Sequence, residues 1–269
     1  YRDQIMKKIL IILFFNSLIA FNGFAGTDGE NALSKKNSGE VKECFKSLNR
    51  GIFAFNQGLD KAIFKPVASA YLKLPSSVRK GTGNAVTNLS NILTIPNNLL
   101  QGDFVKAGEN TARLVINSTV GILGIFDVAS SFGFSKYEKE DYGQTLGAWG
   151  IGPGCYVVIP VLGPSTVRDA FASFGSVTVG LDPWYNITAG KDTHHFADFD
   201  YYASRGTNAL DFRAKNITSF ENLEKNSMDF YASVKSLYTQ DRENKIKNNQ
   251  RGNIEVIYND EEDWEEIDN

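Results

Sequence analysis

At 269 residues the chain is long enough to bury a core, as one large domain or two small ones. Its formal net charge of −3 excludes general nucleic-acid binding, which needs a basic face to displace counterions. The charge is uneven: acids stand without a base from Glu255 to the end, whereas residues 26–254 carry 22 acids against 25 Lys or Arg.

Met6 opens a segment outside the fold. Lys7 and Lys8 precede an apolar run, Ile9 to Phe21, and small residues Gly23 and Ala25 stand at −3 and −1 of a cleavage site. The run is too short to span ~30 Å of hydrocarbon as a helix, so residues 1–25 read as a secretory signal, with residues 1–5 upstream of the true start. An exported protein is expected. Residues 26–41 are polar, Gly-rich and aperiodic, which predicts a flexible linker. In an oxidising compartment Cys44 and Cys155 could bridge or stay free and buried, and the sequence leaves both open.

The helical body is expected over residues 42–247. Apolar residues at 52, 55, 59, 63, 67 and 70 have helical spacing, with Pro66 predicted to kink or split the helix. Val86, Leu89, Leu93 and Leu99–Leu100 predict a second helix that Pro96 interrupts. Asp103 reads as the N-cap of a third, through Phe104, Ala107 and Leu114. The run Leu114–Phe134 is the most apolar of the body, but Gly121, Gly124, Asp127 and Ser130–Ser131 argue against a clean transmembrane helix. Two readings remain open: a helix-hairpin dipping into a bilayer from one side, or a buried core hairpin. Later, Thr218 and Glu221 have capping-box spacing, "NSMD" (226–229) divides the last helical stretch, and the tail from residue 248 reads as acidic and disordered.

Between these helices lies "GQTLGAWGIGPGCYVVIPVLGPSTVRDAF" (143–171), which holds six of the 24 glycines. A dinucleotide cradle fails because Cys155 stands where G-x-G-x-x-G needs its third glycine, and no P-loop lysine motif occurs. A nucleophile elbow fails because "GPSTV" ends in Val167, and the only histidines, His194 and His195, adjoin each other in an aromatic, acidic loop. Ser165 reads as a helix N-cap, with Arg168 and Asp169 in the first turns after it. No catalytic set, metal site or cofactor motif emerges, and a non-enzyme is expected. Gly147, Gly150, Gly152, Gly154 and Gly163 are therefore expected to shape bent backbone in a tight apolar setting. Trp149 and Tyr156 read as membrane-interface anchors or core aromatics.

The chain resembles the MlaA/VacJ family of outer-membrane phospholipid-trafficking proteins. "FNQGLDKAIFKPVASAY" (55–71), "NNLLQGDFVKAGENTARLVINSTVGILGIFDVAS" (97–130) and "DYGQTLGAWGIGPGCYVVIPVLGPSTVRDAF" (141–171) carry the likeness, which runs in order over about residues 45–245. The resemblance implies an all-α helical ring embedded in one leaflet of the outer membrane, on its periplasmic face. It also implies an amphipathic channel that takes phospholipid from the outer leaflet and passes it to a soluble periplasmic carrier of the MlaC type. A trimeric outer-membrane porin would hold the ring in place. Gly121, Gly124, Asp127, Lys139, Arg168 and Asp169 are then the channel and hairpin candidates. For Asp127, helix capping is an equal alternative, and for Arg168–Asp169 a structural ion pair. Two departures stand out: Ala25–Gly26 occupies the place of a lipobox cysteine, which leaves lipid anchoring open, and Cys155 stands where another residue is expected. The rival reading is an envelope adaptor that binds porins without conducting lipid.

Overall fold

The computed structural model describes residues 41–189 and 198–247. The signal segment, the linker up to Glu40, the His194–His195 pair and the tail from residue 248 lie outside the described residues.

Helix α1 (Lys46–Leu59) runs through one wide turn, Asp60–Phe64, into α2 (Lys65–Leu72). Pro66 cannot donate to the carbonyl four residues back, and its ring crowds that carbonyl. The wide turn just before it, in which Lys65 N bonds Asp60 O, takes up the misfit and divides the helical stretch at this point. Helix α3 (Ser76–Leu100) corrects the sequence reading, because it continues through Pro96 without interruption. Within that turn the Asn97 side chain donates to Leu93 O, 2.8 Å away, and α3 packs along α4 (Phe104–Thr119) as an antiparallel pair. Their joint is short: Gly102 takes φ +81°, and Asp103 caps α4 by accepting from Lys106 N at 3.0 Å, as its position predicts.

The apolar run 114–134 folds back on itself, with Ala129 N donating to Asn117 on α4 at 2.9 Å. It holds the end of α4, a turn over residues 120–127 that folds back against α3, and the short α5 (Val128–Ser131). After α6 (Tyr142–Ala148), the Gly/Pro segment forms an antiparallel ribbon of β1 (Tyr156–Ile159) and β2 (Gly163–Thr166), pairing Tyr156 with Thr166 and Ile159 with Gly163. Ser165 therefore sits in a strand, opposite Val157, and its neighbour Thr166 caps α7 (Val167–Thr178) by accepting from Asp169 N at 3.2 Å. Helices α8 (Pro183–Ala189), α9 (Asp198–Lys215), α10 (Ile217–Asn226) and α11 (Phe230–Ile246) complete the described chain. The expected break at 226–229 occurs, with Asp229 capping α11. Thr218 falls inside the first turn of α10 instead of capping it.

A small apolar core joins the ribbon to α1 and α11: Tyr156, Val158 and Tyr231, with Ile52, Phe53 and Tyr238 against them. Asn49 closes the free edge of β1 from α1, donating to Tyr156 O and accepting from Val158 N, both at 3.0 Å. Two helical turns on, Asn56 repeats the pattern with Ile159 O and Val161 N. An α-helix thus offers amide side chains where a third strand would offer backbone, which protects an exposed edge. Next to this joint Cys44 and Cys155 are bridged, their Cα atoms 5.6 Å apart.

Candidate functional site

The described residues are partitioned inside out. Twenty polar or charged residues are buried against ten apolar ones, and six of those ten are alanine. Asparagines recur in the α3–α4 interface, where Asn110 donates to Asn98 Oδ1 at 2.9 Å and Asn88 to Ser118 Oγ at 2.9 Å. Small and amide residues between close helices, with apolar side chains outward, are the arrangement that lipid favours and water does not. Outside stand Phe104, Val105, Leu123, Leu162 and Phe171, each about two-thirds or more exposed. No described helix is long and apolar enough to cross a membrane.

Of the candidate residues, Gly121, Gly124 and Asp127 come together in the 120–127 turn. Asp127 accepts from Arg113 Nη2 at 2.8 Å and Asn117 Nδ2 at 2.9 Å, and caps α5 through Ser130 N. Burial works to raise its pKa, but the bonds from Ser130 and Asn117 and the charge of Arg113 outweigh it and hold the carboxyl below its usual range. Arg113, itself buried, also donates to Ser135 O at 2.8 Å. Asp127 thus serves as cap and turn anchor. What it anchors is a left-handed run: Ile122 (φ +53°), Leu123 (φ +56°) and Gly124 (φ +88°). Such backbone is costly for a β-branched residue, and it turns Ile122 and Leu123 outward.

Arg168 and Asp169 belong to a second cluster, closed on itself. Asp169 accepts from Arg168 Nε at 3.0 Å, Tyr238 Oη at 2.8 Å and Arg242 Nε at 3.1 Å. Arg242 also grips Asp141 with both terminal nitrogens, at 2.7 and 2.9 Å, and Asp141 caps α6 through Gln144 N. Arg168 and Asp169 are buried and paired within the protein, as the ion-pair alternative expected. Burial alone would raise the pKa of Asp141, and Arg242, by bonding and by charge, holds it far below normal; Asp169 is lowered in the same way. Arg113, Asp141 and Arg242 escaped the sequence reading, because their partners stand 14, 101 and 73 residues away.

The glycines of the segment divide by cause. Gly150, Gly154 and Gly163 take φ +86°, +69° and +85°. Gly147 leaves no room, since a Cβ there would lie 2.7 Å from Ile246 Cδ1. Gly152 has neither feature, against expectation, whereas Gly143 has the tighter approach: its Cβ would meet Asp169 Oδ1 at 2.4 Å. Trp149 is exposed and donates to Leu100 O, while Tyr156 is fully buried.

Lys139 lies beside the second cluster, whose Asp141 and Arg242 act on its charge, in a solvent-open hollow between α3, α8 and α9. Val86, Leu89 and Leu93 line one wall, and Trp184 and Arg205 face them. A larger cavity of about 180 Å³ lies by Phe53, Pro164, Phe220 and Phe230, where Lys61 pairs with Glu224 and Lys65 with Glu221.

Comparison with known proteins matches residues 41–245 to a family described as MlaA lipoprotein. An uncharacterized protein of Rickettsia bellii is 33% identical over 77% of this chain and 78% of its own. The "Intermembrane phospholipid transport system lipoprotein MlaA" of Escherichia coli K12 is 30% identical over 72% of this chain and 74% of its own. The protein of the same description from Haemophilus influenzae is 26% identical over 90% and 92%. A solved structure reported as "Structural basis for maintenance of bacterial outer membrane lipid asymmetry" superposes with TM-score 0.67 at 27% identity, covering 76% of this chain and 99% of that one.

Proposed function

The chain belongs to the MlaA lipoprotein family, and from that premise we propose that it is the outer-membrane component of a phospholipid transport system that maintains lipid asymmetry. It sits in one leaflet, on the periplasmic side. It takes phospholipid from the outer leaflet through an amphipathic channel and hands it to a soluble periplasmic carrier of the MlaC type, held in place by a trimeric porin. The observation that carries the reading is the inverted partition, polar inside and apolar outside. A protein surrounded by water would lose about 25 cal/mol for each Å² of apolar surface left exposed, and acyl chains remove that cost. The Cys44–Cys155 bridge favours an oxidising compartment. No step of the reading calls for bond-making chemistry: the protein offers a path, and concentration or downstream affinity supplies direction.

The test is genetic and chemical. Deleting the gene should raise the phospholipid accessible to added phospholipase on intact cells, and the wild-type gene should restore the baseline. Unchanged surface phospholipid on deletion would sink the proposal. Porin co-purification that persists with a 120–127 turn variant, together with full restoration by that variant, would favour the adaptor reading instead.

A further inference from the structure

Three features of the Lys139 hollow point beyond a generic path for lipid. First, its described lining carries two cations, Lys139 and Arg205, and no acid. Second, the two cations differ. Arg205 donates to the buried Asp182 at 2.9 Å, whereas among the described residues the Lys139 ammonium has no hydrogen-bond or ion-pair partner. The acid that acts on it, Asp141, is committed to Arg242. Third, Val86, Leu89 and Leu93 lie three and four residues apart on α3 and form one apolar stripe beside the charge.

Lys139 is exposed, yet protein hems it in enough that burial lowers its pKa, with Arg205, Lys245 and Arg242 pushing the same way against Asp141. Two cations in a hollow whose described lining holds no acid give it a positive potential that favours an anion there. Within the transport reading above, on which this rests, we infer that the hollow seats the phosphodiester of a phospholipid headgroup. Lys139 supplies the charge, Ser90 on the same wall is a hydroxyl within the lining, and the α3 stripe takes the methylenes next to the glycerol. A phosphate joined to apolar chain is the chemistry that a cation beside an apolar stripe recognises. Inorganic phosphate shares the charge and lacks the chain.

The experiment uses the full chain in nanodiscs, with Lys139→Gln, Lys139→Arg and wild type compared for bound phosphatidylglycerol by native mass spectrometry. A parallel arm offers inorganic phosphate alone. Loss of a charge-assisted contact is expected to reduce bound lipid about tenfold in Lys139→Gln, while Lys139→Arg stays within about threefold of wild type. Melting temperatures control for folding: removing an unpaired cation should leave them unchanged or higher. Equal lipid retention by wild type and Lys139→Gln would overturn the headgroup site and leave the transport reading standing. Saturation by inorganic phosphate, with no gain from the lipid, would assign the hollow to free phosphate and overturn the inference. Absence of bound lipid in wild type itself would overturn both readings.

Discussion

Arg242 ties three parts of the chain together, because its guanidinium satisfies Asp141 at the start of α6 and Asp169 at the start of α7 from a position on α11. Replacing it with alanine leaves the half-buried Asp141 without its cation and the buried Asp169 with Arg168 alone, and the expected loss is about 3 kcal/mol of stability, read as a lower denaturation midpoint. The same network sets a pH dependence. Asp141 and Asp169 have folded pKa values below those of the unfolded chain, near 3.9 for an ordinary aspartate. Their contribution is therefore whole above about pH 4 and lost as pH falls through the folded values. Melting temperature should fall as pH drops below about 4 in wild type and much less steeply in Arg242→Ala. Glycines give a paired test at this scale. Gly143→Ala forces a Cβ onto Asp169 and should cost ~2 kcal/mol or more, whereas Gly152→Ala meets nothing within 4 Å and should cost less than about 0.5 kcal/mol. Equal destabilisation of both would contradict the assignment. Asp103 and Asp229 were legible as caps or breaks because capping is local; Arg242 was not, because nothing in a sequence says which distant carboxylate a guanidinium will meet.

At the scale of elements, two joints decide the architecture. The first is α1 against the ribbon, where Asn49, Asn56 and the Cys44–Cys155 bridge converge. The bridge closes a separation of 111 residues, so removing it as Cys44→Ser with Cys155→Ser should cost about 3–5 kcal/mol by the loop-entropy account. Comparing unfolding of that double variant with wild type, each with and without reductant, checks this: reductant should shift only wild type. The second joint is the 120–127 turn against α3. Gly124 has φ +88° and would put a Cβ 2.4 Å from that of Asn88, so the turn accepts no other residue without moving. Sequence reasoning located this apolar run and its two glycines, but not how its turn is held. Hydrophobicity marks which residues avoid water, and it does not say whether they lie along one helix or across a helix end and a turn. The two prolines differ in outcome. At Pro66 a wide turn absorbs the lost bond, and at Pro96 close packing of α3 on α4 keeps the helix whole.

For the molecule as a whole, the apolar exterior is the property that matters, and it makes a prediction separate from folding. Leu123 is 74% exposed at a turn that Arg113 and Asp127 hold rigid. Leu123→Asp should leave the melting temperature within about 2 °C in detergent. It should lower the fraction bound to phospholipid vesicles in flotation, since charge at the acyl boundary is costly. Undiminished flotation would show that this turn does not enter lipid. A purified chain stripped of detergent should aggregate through the same surface.

The sequence by itself determined the helical class, the places where helices start at Asp103 and divide near Asp229, the bent Gly/Pro segment and the resemblance that the comparisons bear out. These are local or cumulative properties, written in spacing and in residue type. Only the tertiary structure decided that Gly/Pro backbone folds as a two-stranded ribbon, that Cys44 meets Cys155, and that Arg168 and Asp169 are spent within a buried hub. It also decided that Lys139 alone among the candidates keeps a charge without a partner among the described residues. The physical reason is that pairing energy depends on distance in space. Composition supplies the charges, and only the fold says which of them are left to meet a ligand.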